Sequence, residues 1–198
     1  GIPVVLLHRG VEGVKSPLVA IPATKVGRHA GEQLLKRGHT RIAFCASQRA
    51  GSTLKYEVGL RGVLEDAGHS ILDDHIKYGN IVLFNNENYA EFESEVEVWF
   101  DRVMAGPDRP SAIFTSFETV GEVLYLVAMR RGLSVPDDLS IVTIGAQDRR
   151  GAILRRLACV TINEQQDRMH RGLLPHDNSD VISIEYGFDA AESLAEIA

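Results

Sequence analysis

Apolar positions along this chain fall into two alternating patterns, short strand-like runs and stripes with steps of three and four. Short apolar runs bounded by turn residues suit strands of a parallel sheet covered on both faces. Such runs lie in Val4–Leu7, Ile42–Ala46, Ser111–Ser116, Leu139–Gly145 and Cys159–Ile162, and shorter strands are predicted at Leu18–Ile21 and Val181–Ile184. A strand-like segment surrounds His75–Phe84. Helical stripes fall between them. Val26, Ala30, Gln33 and Leu34 share one face of a helix over 24–37, with Thr24 as its cap. A second helix over 53–67 turns Leu54, Val58, Gly62 and Leu64 inward and stops at Gly68. The strongest stripe is Tyr89, Phe92, Val96, Trp99, Phe100 and Val103, with Glu91, Glu93, Glu95 and Glu97 mostly on the solvated side. Val120, Val123, Leu124 and Val127 mark one more helix.

The segment from Leu34 to Phe44 condenses the pattern. Lys36 and Arg37 occupy a last helical turn, where cations oppose the helix dipole, and Gly38 provides the stop. Ile42-Ala43-Phe44 then enters a covered strand. From residue 24 to 146 helix and strand alternate four times, which predicts an α/β fold with a doubly wound parallel sheet. The tail is less regular: a helix over 164–174, a polar break at Pro175–Asn178, a strand, and a short helical end. Because the sequence opens on a strand, it reads as a fragment with chain preceding it.

Composition narrows the function. The formal net charge of −6 gives no general attraction for nucleic-acid phosphates. Cys45 and Cys159 sit inside apolar runs and read as buried, reduced thiols. No run is long enough to span a membrane. Neither the dinucleotide nor the nucleoside-triphosphate glycine loop is present, and no G-x-S-x-G elbow occurs. None of the 7 histidines has the spacing of a metal helix, and His170, His176 and Asp177 read as solvated surface. Arg149-Arg150 and Arg155-Arg156 form the one basic cluster, read as surface or subunit contact. The expectation is a non-enzyme without cofactor or metal.

Four segments carry a family resemblance. They are Gly1–Arg9, Leu35–Phe44, Gly59–Gly68, and the pair Pro107–Phe114 with Gly132–Val142. In this order and spacing they resemble the effector-binding core of LacI/GalR-family transcriptional regulators. That resemblance implies a periplasmic-binding-protein-like fold of two doubly wound lobes with a small molecule between them. The expected division is a partial N-terminal lobe, residues 1–40 and 160–198, and a C-terminal lobe, residues 41–159. It also implies a cytoplasmic homodimer that represses transcription, reaching operator DNA only through a helix-turn-helix headpiece absent from these residues. A solute-binding protein for uptake shares the fold and is the competing reading.

Ligands of open parallel sheets gather beyond the strands' carboxyl ends. Those ends predict a site at the loops 47–52, 85–89, 116–118 and 146–148, with Ser47, Tyr56, Asn86, Phe117, Glu118 and Gln147 as candidates. Many relatives carry an arginine where this chain has Tyr56, an Asn-Asp pair near Phe117-Glu118, and an aspartate at Gln147. These departures weaken the usual sugar-site pattern. They predict a sugar-like or nucleobase-like effector held by stacking and neutral hydrogen bonds, or a cleft that has lost its effector. The Gly38-His39 junction is expected to pass between the lobes and border the cleft.

Overall fold

A computed structural model describes residues 6–7, 11–80, 88–146, 153, 156–163 and 181–197. In chain order the elements are β1 (Leu6–Leu7), β2 (Leu18–Ala20), α1 (Ala23–Lys36), β3 (Ile42–Ala46) and α2 (Gly51–Asp66). A single 3-10 turn, Asp73–His75, leads into β4 (Ile76–Tyr78), then α3 (Tyr89–Ala105), β5 (Ala112–Thr115) and α4 (Glu118–Arg130). The chain ends with β6 (Ser140–Ala146), β7 (Ala158–Ile162), β8 (Val181–Ser183) and β9 (Tyr186–Asp189).

Two sheets form. One has the order β1-β2-β8, and the other β4-β3-β5-β6-β7-β9. All pairings are parallel except β7 with β9, which run antiparallel from Cys159↔Asp189 to Ile162↔Tyr186. The strand assignments carry the chain between the sheets after β2, between β7 and β8, and after β8. Two backbone bonds tie these passages together: Ile184 N–H to the Ala20 carbonyl at 3.0 Å and Asn163 N–H to the Glu185 carbonyl at 3.1 Å.

The larger sheet is covered on both faces, and the strand alternation shows why. Ile42, Phe44 and Ala46 of β3 point into one core with Ala112, Phe114, Val142 and Val160, beneath α1 and α2. Ala43 and Cys45 point into the other with Ile113 and Ile141, beneath α3 and α4. Side chains of successive residues leave a strand on opposite faces, so a double core needs apolar residues at both. The two cysteines are buried and free. The expected inner stripe of α3 is buried from Phe92 to Val103, whereas Tyr89 at its start is 37% exposed. Glu93 and Glu97 on its outer side meet Arg130 of α4 at 2.8 and 2.6 Å.

The inner face of α2 differs from the expected one. Val58 is 60% exposed, and the buried positions are Thr53, Tyr56, Gly59, Leu60, Val63 and Leu64. The cause is the crossing of α1 over α2. A Cβ at Gly59 would lie 2.0 Å from the Thr24 carbonyl oxygen, and one at Gly27 would lie 2.1 Å from the Tyr56 carbonyl oxygen. The two backbones touch, so the helix turns its glycine rather than a valine toward its neighbour. Gly62 sits off this seam, with nothing nearer than the Arg28 guanidinium at 3.8 Å.

The core of the six-stranded sheet draws in elements from outside residues 41–159. Residues of α1 from Ala23 to Leu34 lie in the core of the six-stranded sheet, and β9 pairs with β7 there. Only β1, β2 and β8 build the smaller sheet. The strand at Tyr186–Asp189 was absent from the sequence expectation, and the anticipated helix over 164–174 lies outside the described residues.

The chain end also differs. No helix forms at residues 190–197; they cross the amino ends of the large sheet's strands as an extended strap. The Ser193 hydroxyl donates to the Ile141 carbonyl at 2.6 Å and accepts the Ala158 N–H at 2.6 Å. Ala195 N–H reaches Ser140 Oγ at 3.0 Å, and Ile197 N–H reaches the Arg37 carbonyl at 2.8 Å. These bonds consume backbone groups that a helix would need. Gly38, at φ +86, lies beneath Ile197: an added Cβ would sit 2.8 Å from the Ile197 carbonyl.

His39 completes the clasp. It is 1% exposed, with Nε2 at 3.1 Å from the Ala195 carbonyl and Nδ1 at 3.0 Å from Ser111 Oγ. A carbonyl only accepts, so Nε2 carries the proton and neutral Nδ1 accepts from the hydroxyl. Burial lowers the His39 pKa from the usual 6.5; the Ala195 bond raises it less, and the Arg37 charge adds to the lowering. The Gly38-His39 junction therefore stands at the amino ends of β3 and β5, away from the strands' carboxyl ends. It does not border a cleft there, because a helix-to-strand turn necessarily enters a strand at its start.

Two measurements check this packing. Gly59→Ala should lower the unfolding free energy by about 2 kcal/mol in urea, despite roughly 1 kcal/mol of helix propensity gained, while Gly62→Ala should be neutral or stabilising. The unfolded chain binds a proton at His39 more readily than the folded one, so this contribution to stability is full above pH 6.5 and declines as pH falls below it. Urea midpoints of wild type and His39→Gln should therefore converge between pH 7.5 and 5; parallel pH profiles would rule the effect out.

Candidate functional site

At the carboxyl end of the large sheet the strands stop in polar residues. β3 runs into Ser47, which is fully buried, and β5 into Ser116, also fully buried. Ser116 N–H donates to the Cys45 carbonyl at 3.2 Å, which holds the two strand ends side by side. One layer below, Thr115 Oγ1 donates to the Phe117 carbonyl at 3.0 Å and lies 3.1 Å from Thr143 Oγ1. These threonines are satisfied. The Ser47 and Ser116 hydroxyls, in contrast, have no hydrogen-bond partner among the described residues. A buried hydroxyl without a partner costs about 1–3 kcal/mol, so a polar partner supplied from outside the chain would be well rewarded.

Glu118 opens α4 and Phe117 precedes it in extended conformation; both are half-buried. The Glu118 side chain lies across Gly145 of β6. A Cβ there would stand 2.1 Å from Glu118 Oε1 and 2.2 Å from its Cδ. The glycine thus leaves the floor on which the carboxylate rests. A carboxylate in a first helical turn is also favoured by the helix dipole.

The loop after β3 is built as a wall. Gly79 N–H donates to the Ala46 carbonyl at 2.9 Å, and Gln48 and Asn80 form an isolated antiparallel bridge. The buried Thr53 hydroxyl lies 2.7 Å from the Gln48 carbonyl and accepts the Ala50 N–H at 3.2 Å. Beside it, Arg49 stacks over the ring of Tyr78 on the edge strand β4, 5.7 Å from the centroid.

The candidates read from sequence therefore separate. Ser47, Phe117 and Glu118 come together at the strand ends. Tyr56 is 1% exposed and packs in the core beneath α1, with Phe44 and Leu60 in the same cluster. Its hydroxyl pKa is raised by burial, offset in part by a hydrogen bond with Ser52. Asn86 and Gln147 lie outside the described residues, as do His170, His176, Asp177, Arg149, Arg150 and Arg155. Arg156 faces Glu192 at 3.5 Å. Ser116 and Arg49 fall inside the expected loops 116–118 and 47–52 but were not singled out as candidates, although a serine that terminates an apolar strand was an available signal. Tyr78 lay outside those loops and is brought to Arg49 by the pairing of β3 with β4.

Other chemistry is poorly provided for among the described residues. No group of three or more His, Cys, Asp or Glu side chains gathers as a metal site, and no helix is long and apolar enough to cross a membrane. Burial pushes the Cys45 thiol up to about 12, which keeps it protonated and a weak nucleophile.

Two largely parallel sheets joined by repeated chain passages, with polar strand ends at one end of the larger, define a two-sheet α/β architecture. The chain belongs to the periplasmic binding protein-like domain family, whose profile matches residues 31–171. Among curated relatives, the HTH-type transcriptional regulator YkvZ of Bacillus subtilis is 25% identical over 166 residues, covering 83% of this chain and 47% of that protein. The HTH-type transcriptional repressor PurR of Vibrio campbellii is 26% identical over 143 residues, covering 71% of this chain and 40% of that protein. The chain thus spans about half the length, or less, of these relatives. A transcription regulator from Lactobacillus plantarum has the same fold, with a TM-score of 0.76 at 18% identity over 98% of this chain and 73% of that one. So does a LacI family transcriptional regulator from Mycobacterium smegmatis, with a TM-score of 0.75 at 23% identity over 99% of this chain and 72% of that one. These relatives and structural neighbours are named as regulators, not as enzymes or uptake proteins.

Proposed function

We propose that this chain is the ligand-sensing core of a LacI-type transcriptional regulator, acting as a cytoplasmic homodimer and probed by a small-molecule effector. The observation that carries the reading is the pair of buried hydroxyls, Ser47 and Ser116, without hydrogen-bond partners among the described residues and close together at the strand carboxyl ends. In this reading the effector sits between the two sheets, contacting Ser47, Ser116, Phe117 and Glu118, with Asn86 and Gln147 contributing from the neighbouring loops. Tyr56 supports the site from beneath. The lobes divide near residue 21, with β1, β2 and β8 on one side and the six-stranded sheet on the other. Operator DNA is read by a helix-turn-helix outside these residues, as the names of the relatives suggest.

A bound effector stabilises the fold by mass action. At 100 times its dissociation constant it adds about 2.7 kcal/mol. For a chain of this length that raises the melting temperature by roughly 5–10 °C. A thermal-shift screen of sugars, nucleobases and sugar phosphates should find such a ligand, and Ser116→Leu should abolish its effect while the unliganded protein stays folded. A screen with no response, or a response that Ser116→Leu leaves intact, would contradict this placement.

A further inference from the structure

Arg49 is set apart from most of the described arginines. Arg28, Arg61, Arg130, Arg131 and Arg156 each face a carboxylate, and Arg41 and Arg109 each donate to a backbone carbonyl. Arg49 is exposed, and among the described residues its guanidinium lies over the face of Tyr78, 5.7 Å from the centroid, with no ion pair. That ring is itself fixed. The Tyr78 hydroxyl donates to Glu57, and Phe44 meets the ring edge-on at 5.9 Å. Glu57 in turn is neutralised by Arg61 at 2.7 Å, and Arg61 also reaches Asp73 at 3.2 Å. Glu57 thus has its cation without drawing on Arg49, whose guanidinium donors meet no acceptor among the described residues.

Its position says what that is. Arg49 stands two residues beyond Ser47, at the strand end where the unpartnered Ser47 and Ser116 hydroxyls are buried. One residue, Ala50, separates it from α2, whose first turn contains no acidic residue. The loop that carries it is pinned by Thr53 and by the Gln48–Asn80 bridge, so the guanidinium is presented from a rigid wall. Across β5, Glu118 lies over Gly145 as a carboxylate acceptor. The two sides of the strand ends therefore offer opposite chemistry. A planar guanidinium forks onto phosphate or carboxylate oxygens, whereas a carboxylate takes the hydroxyl donors of a polyol.

We infer that Arg49 determines specificity at this site, selecting a polyhydroxylated effector that bears an anionic group, a phosphate ester or a carboxylate. The anion is held by Arg49, with the Ser47 and Ser116 hydroxyls donating, and Tyr78 positions the guanidinium. The hydroxyls at the opposite end of the ligand donate to Glu118. The inference rests on the effector-cleft reading above and changes its chemistry, because stacking and neutral bonds alone do not use an unpaired arginine.

Titration with inorganic phosphate, glucose, glucose 6-phosphate and glucuronate, followed by calorimetry and by the Arg49 side-chain NMR signal, tests the assignment. Phosphate should shift the Arg49 Nε–Hε resonance and the Ser116 amide. Glucose 6-phosphate or glucuronate should bind at least about tenfold more tightly than glucose, with an affinity that falls as salt rises. Arg49→Gln should remove that preference without changing the melting temperature, and Arg49→Lys should restore part of it. A preference for the phosphate ester over glucuronate identifies the anion as phosphate, and the reverse as carboxylate. Equal binding of glucose and the anionic probes, or discrimination that survives in Arg49→Gln, overturns the assignment while leaving a ligand cleft in place. Silence of every probe, in a protein that responds to a neutral compound in the thermal screen, also overturns it. Silence in both experiments overturns the cleft reading as well.

Discussion

Backbone contact between α1 and α2 is the constraint on which this arrangement depends. Gly27 meets Tyr56, and Gly59 meets Thr24, at separations that no side chain could occupy. Helices whose axes approach that closely need small residues at the crossing, and the approach then fixes their relative position tightly. α1 begins directly after the chain leaves β2, the strand of the small sheet, and α2 begins directly after the Arg49 loop. The crossing therefore locks the passage between sheets to the wall of the candidate site. A ligand that pulls on the Ser47–Ser52 loop acts through α2 on α1, and so on the junction between the sheets.

The two ends of the large sheet have been given different tasks. At the amino ends the backbone is closed by the C-terminal strap, where His39 pairs with Ser111 while Ser140 and Ser193 bond backbone groups of the strap and of β6 and β7. At the carboxyl ends Ser47 and Ser116 are buried without hydrogen-bond partners among the described residues, and Arg49 stands exposed two residues beyond Ser47. A polar network that is fully paired adds rigidity, while one left open costs stability and suits recognition. Among the described residues the unsatisfied hydroxyls lie at the carboxyl ends, and that asymmetry separates scaffold from candidate site.

The fold was legible wherever a pattern was local. Leu34 to Phe44 reads as helix, glycine stop and covered strand, and it is so. Its place in the molecule was not legible, because the partner of His39 lies 156 residues away in the strap. The strap itself was misread as a helix, since Ala-rich sequence carries helical propensity while the bonds that hold it come from three other strands' ends. The face of α2 was misread because a glycine seam outranks a valine stripe once backbones touch. At the site, the strand ends were located correctly, but which side chains point where was set by distant register. Ser116 and Arg49 lay within the expected loops, but their burial, exposure and the Arg49–Tyr78 contact follow from β3 standing between β4 and β5.

The central claim is that ligand binding is confined to the carboxyl ends of the large sheet and is felt at the passage between sheets. Hydrogen exchange with and without a ligand from the thermal screen tests it most directly. Amides of residues 47–53 and 115–118, together with those of 20–23, should gain protection, while those of 37–41 and 190–197 at the opposite end stay unchanged. Protection centred on His39 and the strap, or none at the Ser47 and Ser116 strand ends, would contradict the account.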